Sequence, residues 1–357
     1  MENTIIYKLP EIIDKKAIYY KILSDLTNRY RGLKSGEFTA VSLALVERIN
    51  ANAIPLLMGM LNLLQNKSDN PVYLELAYNP RLLAFLDSIG FFCELSQYGI
   101  IKYDKKYIVG LSDYRYSKDN KILPHEPIKD YEDKTKQEKQ EIRDALAEKM
   151  RGELSHSLLF KEVVKNDELW DTMIVAFTEL IVNAIIHSGS LSYTYMQSRI
   201  AFGKNKRGYL LSVVDVGRGF YASLSKKIEK DEGYTQEDRD FFYQYARSLG
   251  INVSEELNFL SIMEALYYSE TKTRDMDLFK LKNLLAISNA NFRVHHKNTE
   301  VVFTCDKCSK CIKKDILRCV KCIWQGKHTK TPSIRTYPVV MAGVHIEVEF
   351  IQEWQNV

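Results

Sequence analysis

Three side chains able to do chemistry recur at four-residue steps: Glu179, Asn183 and His187. On a helix that spacing stacks them along one face. Ile174, Phe177, Ile181, Ala184 and Ile185 recur at three- and four-residue steps and make a separate apolar face. The segment therefore predicts a core helix carrying a carboxylate, an amide and an imidazole in register, which is a chemical face rather than a solvated one. About 20 residues further on, a strand-like run GYLLSVV leads into DVGRGF. Asp215 at the strand end can accept a hydrogen bond. Gly217 and Gly219 let the backbone come close to a ligand.

The two motifs, ELIVNAIIH and DVGRG, occur in the order and context of the GHKL ATP-binding superfamily, which includes gyrase, heat-shock chaperones, histidine kinases and the MutL repair proteins. The helix is most similar to E-x-x-x-N-A-x-x-H of the anti-sigma-factor serine kinases. The resemblance implies an α/β fold in which ATP is the ligand. Asn183 would ligate Mg²⁺ on its phosphates, Glu179 would be the general base on water or a substrate hydroxyl, and Asp215 would hold the adenine amino group. His187, Gly217 and Gly219 would line the nucleotide. It places a lid over 221–269, where DRDFFYQYARSL and ELNFLSIMEALYYS read as helices. Such a lid ends in a second glycine box, whose amides cradle phosphate at a helix start. The aligned stretch here is SETKTRDMDLFKLKNLL, with Asp275 and Asp277 at the glycine positions. Carboxylates there repel a triphosphate, which leaves Thr271, Lys272 and Thr273 as phosphate contacts. Hydrolysis, transfer to a protein hydroxyl, and binding alone all stay open.

A chain of 357 residues has room for two domains with their own cores. No apolar run reaches the roughly 20 residues of a membrane helix. The N-terminus lacks a signal pattern, so a cytoplasmic location is expected. The expected fold class is α/β, in two domains. Over 1–112, VSLAL, INANAIPLLMGMLNLL, VYLELA and PRLLAFLDSIGFF alternate strand and helix. Their order and the ending LDSIGFF resemble a STAS domain, a partner module of anti-sigma kinases. The loop after the first strand reads INANA, with no hydroxyl to phosphorylate, so a scaffold, a sensor or a homodimer contact is expected there. Residues 113–150 read as a charged helical connector. Residues 151–357 would be a GHKL-type sandwich, a mixed sheet packed on helices, closed by strands at FRVHH, EVVFTC and HIEVEF.

Five of the six cysteines lie in 305–322, inside an insertion over 305–335. Clustering of this kind points to metal in a reducing compartment rather than to disulfides. Cys305 with Cys308, and Cys319 with Cys322, make two C-x-x-C pairs able to supply four thiolates to Zn²⁺, with Cys311 as an alternate. The triple C-x-x-C-x-x-C also admits an iron–sulfur cluster, and an unmetallated loop remains open. Cys93 reads as core, and His295, His296 and His328 as surface. From 305 to 330 there are eight Lys or Arg against two Asp, so the net charge of +4 is carried by this insertion. With Trp324 in the same loop, a nucleic acid or an acidic protein is an expected partner. The leading expectation is an ATP-binding regulatory protein acting on a protein partner. The alternative is a non-catalytic scaffold whose basic knuckle does the recognising.

Overall fold

The computed structural model describes residues 6–109, 111, 121–156, 167–200, 206–272, 278, 281–283, 290–303, 315–328 and 333–353. It is a mixed α/β architecture with parallel and antiparallel sheets. The N-terminal unit holds β1 (Tyr7–Lys8), β2 (Ile12–Ile13), α1 (Lys15–Ala17), a π-helical turn (Ile18–Ile22) and α2 (Leu23–Arg29). It continues with β3 (Ala40–Ser42), β4 (Arg48–Ile49), α3 (Ala53–Ser68), β5 (Val72–Glu75), α4 (Pro80–Ser88), α5 (Phe91–Gln97) and β6 (Ile101–Lys102). Its main sheet runs β1-β3-β5-β6, every pair parallel. The helices expected from INANAIPLLMGMLNLL and PRLLAFLDSIGFF are α3 and the pair α4–α5. Asn79 caps α4, its Oδ1 accepting from the amides of Arg81 (3.0 Å) and Leu82 (3.3 Å), with Pro80 in the first turn.

The C-terminal unit holds β7 (Lys121–His125), α6 (Lys136–Ser155), α7 (Asp167–His187), β8 (Ser192–Ile200), β9 (Lys206–Asp215), α8 (Gly219–Glu229), α9 (Gln236–Ser248), α10 (Leu257–Lys272), β10 (Asn291–Phe303), α11 (Ile316–Gln325) and β11 (Ile334–Glu353). Among the described residues its sheet has the order β10-β11-β9-β8-β7. All of these pairs are antiparallel, so this sheet is not mixed as expected. The parallel pairing belongs to the N-terminal unit. FRVHH and EVVF form one strand, β10, whose register against β11 shifts around Lys297, a residue at φ +56°.

Within the stretch read as a charged helical connector, the described residues 121–150 pack on the C-terminal unit. Residues 121–125 are the edge strand β7. Helix α6 opens on a capping box formed by Thr135 and Glu138. It lies against α7 through buried Met150 and Leu154, with Leu146 and Ala147 packed on the same core. One apolar residue per turn is enough to dock a helix whose other faces are charged.

The antiparallel sheet is buried on both faces. Leu211, Val213, Val344, Ile346 and Val348 alternate toward the core shared with α7 and α10. On the opposite face Tyr193, Tyr195, Val214, Val216 and Met341 share a core with α3. Several polar residues on that face therefore find their partners inside the protein. Lys15 Nζ reaches Glu300 Oε1 at 2.5 Å and Glu347 Oε2 at 2.8 Å. Tyr337 donates to Glu300 at 2.9 Å, and His345 lies 3.0 Å from Ser212 Oγ and 3.3 Å from Tyr19 OH. His295 and His296, expected at the surface, are buried, at 3 % and 0 % exposure. The N-terminal helical stretch covers His295, with the Tyr19 ring at 4.0 Å. His296 lies on the other side of the strand, against Phe220. Cys93, expected in the core, is exposed.

Helix α3 can approach this closely because of Gly59. A Cβ there would meet Met341, Val214 and Val216, each at 3.1 Å. Gly59→Leu is predicted to wedge the two units apart and to lower stability by about 1–3 kcal/mol. The check is the denaturation midpoint, and an unchanged midpoint would contradict this packing.

Candidate functional site

The polar row of α7 lies where its spacing predicts. Glu179, Asn183 and His187 are half-buried, while Leu180, Ile181, Val182, Ile185 and Ile186 are in the core. Asn183 and His187 line a cavity of about 280 Å³, together with Asp215, Phe220, Lys227 and Tyr268. Helix α7 makes one wall, the ends of β9 and β11 the floor, and α8 with α10 the opposite wall. By composition α7 is long and apolar enough to cross a membrane over Trp170–His187, but most of that window is buried as the core helix of this unit.

Asp215 is at the end of β9, opposite Val344 of β11. Its Oδ1 accepts from the Gly217 amide at 2.9 Å. Burial dominates its titration and pushes the carboxyl up to about 7, against the lowering effect of amide bonds from Gly217 and Val344. A carboxyl there accepts from an exocyclic amine in either state, and when protonated it can also donate to a neighbouring ring nitrogen.

The glycines of DVGRG have reasons within the protein. A Cβ on Gly217 would fall 2.0 Å from the Ser188 carbonyl oxygen, so this glycine lets the turn cross the end of α7. Gly219 is at φ +74°, and a Cβ on it would fall 2.4 Å from His296 Nε2. Of the two, only Gly219 lines the cavity. The expectation that both make room for a nucleotide is thus replaced for Gly217 by helix-end packing.

Arg143 of α6 is the side chain the sequence reading missed. Its Nη2 lies 2.5 Å from Glu179 Oε2 and its Nη1 lies 3.1 Å from Asn183 Oδ1. One guanidinium thus bridges both of these residues, and Arg143 also lines the cavity. The preceding segment closes over the mouth. Tyr131 lines it, Glu132 accepts from Arg218 at 3.0 Å, and Lys139 pairs with Glu232 at 2.5 Å. The His187 imidazole is held well below its ordinary range, first by burial and then by the positive charges of Lys227, Arg143, Arg218 and Lys139. Each of these cations has a carboxylate partner, Arg143 with Glu179, Arg218 with Glu132, and Lys139 and Lys227 with Glu232, so four positive and three negative side chains meet at the mouth. The same geometry bears on Mg²⁺, which needs near-octahedral oxygen ligands at about 2.0–2.1 Å. Here one oxygen of each, Glu179 Oε2 and Asn183 Oδ1, already serves the Arg143 guanidinium, so a divalent ion at Asn183 would sit against a fixed positive charge.

Helices α9 and α10 are tied together by Glu264. This fully buried carboxylate accepts from Arg239 Nε at 2.6 Å, from Tyr243 at 2.9 Å and from Tyr234 at 3.2 Å. It sits next to Ala265, which faces the cavity. Thr271 and Lys272 are engaged elsewhere. Thr271 Oγ1 donates to the Tyr267 carbonyl at 2.8 Å, and Lys272 pairs with Asp238 at 2.8 Å. Neither lines the cavity. Thr273, Asp275 and Asp277 lie outside the described residues.

Cys319 and Cys322 are one turn apart on α11. Cys319 is buried, its Sγ 3.3 Å from Lys282 Nζ, and burial pushes this thiol up. Cys322 is exposed. Two thiols at this spacing fit half of a tetrahedral zinc site. Cys305, Cys308 and Cys311 lie outside the described residues, and among the described residues no three His, Cys, Asp or Glu converge on a metal position. Trp324 stacks on Phe259 at 5.9 Å between centroids, with Lys327 over its ring at 4.4 Å. Lys327 is also paired with Glu256. This aromatic is engaged within the fold rather than presented for base stacking.

One signal for Arg143 was available. The T-x-x-E capping box at 135–138 announces a helix, and Arg143, Leu146, Met150 and Leu154 follow on it at three- and four-residue steps. Asp215 also makes a prediction about pH. Because its folded-state pKa is raised, its contribution to stability is complete below the ordinary carboxylate range and is lost as pH rises through about 7. The buried histidines act in the opposite sense, so the comparison must be with Asp215→Asn. Between pH 5 and pH 8 that variant should gain on the wild type by on the order of 1 kcal/mol or more. Parallel profiles in urea titrations would contradict it. Comparison with family models, with curated proteins and with solved structures finds no match to this chain.

Proposed function

We propose that this chain is a purine-nucleotide-binding regulatory protein that takes ATP or ADP in the cavity between α7, the β9 and β11 ends, and the helices α8 and α10. The observation that carries the reading is the conjunction at one cavity. A buried carboxyl, Asp215, sits on the floor, a polar helix row forms one wall, and lysine and arginine side chains gather at the mouth. Base recognition calls for the first, and a polyphosphate calls for the last. The order of these parts along the chain supports assignment to the GHKL-type fold, with a STAS-like module before it. The cavity wall formed by Tyr131 and Arg143 comes from the segment that joins the two units. Occupancy would therefore be felt in that segment, and a protein partner reading it is the regulatory output.

Glu179 is the base in this reading only if Arg143 releases it, so binding takes precedence over hydrolysis or phosphate transfer. The cysteine insertion is proposed to hold Zn²⁺ through Cys319 and Cys322 with two of Cys305, Cys308 and Cys311, which suits a reducing, cytoplasmic setting. The nucleic-acid reading of the insertion has less support, because Trp324 and Lys327 are engaged with Phe259 and Glu256.

The test is calorimetric titration of ATP, ADP and GTP into the wild type and into Asp215→Ala. Adenine nucleotides should bind the wild type, and the variant should lose about tenfold or more in affinity, as expected for a lost hydrogen bond to a charged or strongly polar group. No heat with any nucleotide, from protein that melts cooperatively, would remove the proposal.

A further inference from the structure

We propose that Arg143 occupies the cation position of this site, so that the chain binds nucleotide phosphates without a divalent metal. The inference rests on the nucleotide reading above. Two oxygen acceptors on α7, Glu179 Oε2 and Asn183 Oδ1, are the hard donors that a magnesium ion would use. Both are bound by one guanidinium, at 2.5 and 3.1 Å. The pair is shielded, with side-chain exposures of 17 % for Arg143 and 12 % for Glu179. Salt and water therefore weaken it less than a surface pair.

Arg143 is also held there by its backbone. The capping box at Thr135 fixes the start of α6, Met150 and Leu154 bury its far end against α7, and Lys139 pairs with Glu232 beside it. For a metal to reach Asn183, Arg143 would have to leave its carboxylate or face a doubly charged ion a few ångströms away. Neither is favoured while α6 stays docked. A planar guanidinium can instead keep both helix contacts while presenting its fixed positive charge to an anion in the cavity it lines. Lys227 lines the same cavity and supplies a second positive charge. The site so built takes a nucleoside di- or triphosphate as the free anion. Its metal complex, with part of its charge already neutralised, is the poorer ligand.

The experiment is calorimetric titration of ADP and of ATP into the full chain, once in EDTA and once in excess magnesium chloride. It uses the wild type, Arg143→Ala and Arg143→Lys, with circular dichroism and thermal melting to show that each is folded. The wild type should bind at least as tightly in EDTA as in magnesium. Arg143→Ala should lose about tenfold or more in EDTA and recover part of that loss when magnesium is added. Arg143→Lys, whose ammonium cannot span both acceptors, should fall between them and keeps the test open if the alanine variant does not fold. Wild-type binding that is about tenfold or more tighter with magnesium would overturn this inference alone. Equal affinities across the three proteins in EDTA would also overturn it. No binding by any protein in either buffer would reject the nucleotide reading and this inference with it.

Discussion

A sheet with protein on both faces cannot leave its polar side chains to water, and that constraint shapes this molecule. On the face toward the N-terminal unit, Glu300 and Glu347 are buried to 1 % exposure. They are tolerable only because Lys15 reaches both, with Arg293, Arg335 and Tyr337 completing the set. Removing one member would strand a buried charge, which costs far more than the pair contributes. The N-terminal helical stretch is thus part of the sheet's electrostatics, and the two units behave as neighbours with a common core.

On the other face the same logic makes a cavity instead of a seal. Beyond Val213 and Val344 the strands end, the turn at Gly217 crosses the last turn of α7, and the core gives way to Asp215, Asn183 and His187. Cations from three separate elements, Arg143 on α6, Arg218 after the turn and Lys227 on α8, gather around them. Their mutual repulsion is offset in part by Glu179, Glu132 and Glu232. With Lys139, which shares Glu232 with Lys227, the cations exceed these carboxylates by one, and the proposed anionic ligand is compatible with that excess.

What could be read from the chain alone was the local part. The 3.6-residue period of α7 and its four-residue polar row, the strand into Asp215, and the strand–helix alternation of the N-terminal unit depend on neighbours in sequence. What could not be read depends on distant ones. Arg143 meets Glu179 and Asn183 across 36 and 40 residues, and nothing in a charge-dense helix says which charge turns inward. Gly217 answers to Ser188, which only the assembled fold shows, whereas Gly219 packs against His296 and also lines the cavity. His295 looked like a surface residue because the cover over it comes from Tyr19, 276 positions away.

In the proposed function the polar row of α7 and the carboxyl at the end of β9 form one ligand site, closed by the segment before and within α6. Hydrogen exchange of the full chain with and without ADP tests it most directly. Slowed exchange is expected in three separated stretches together, at 129–143, 179–188 and 215–224, with the parallel sheet of the N-terminal unit unchanged. Protection absent from these stretches, or confined to the cysteine insertion, would contradict it.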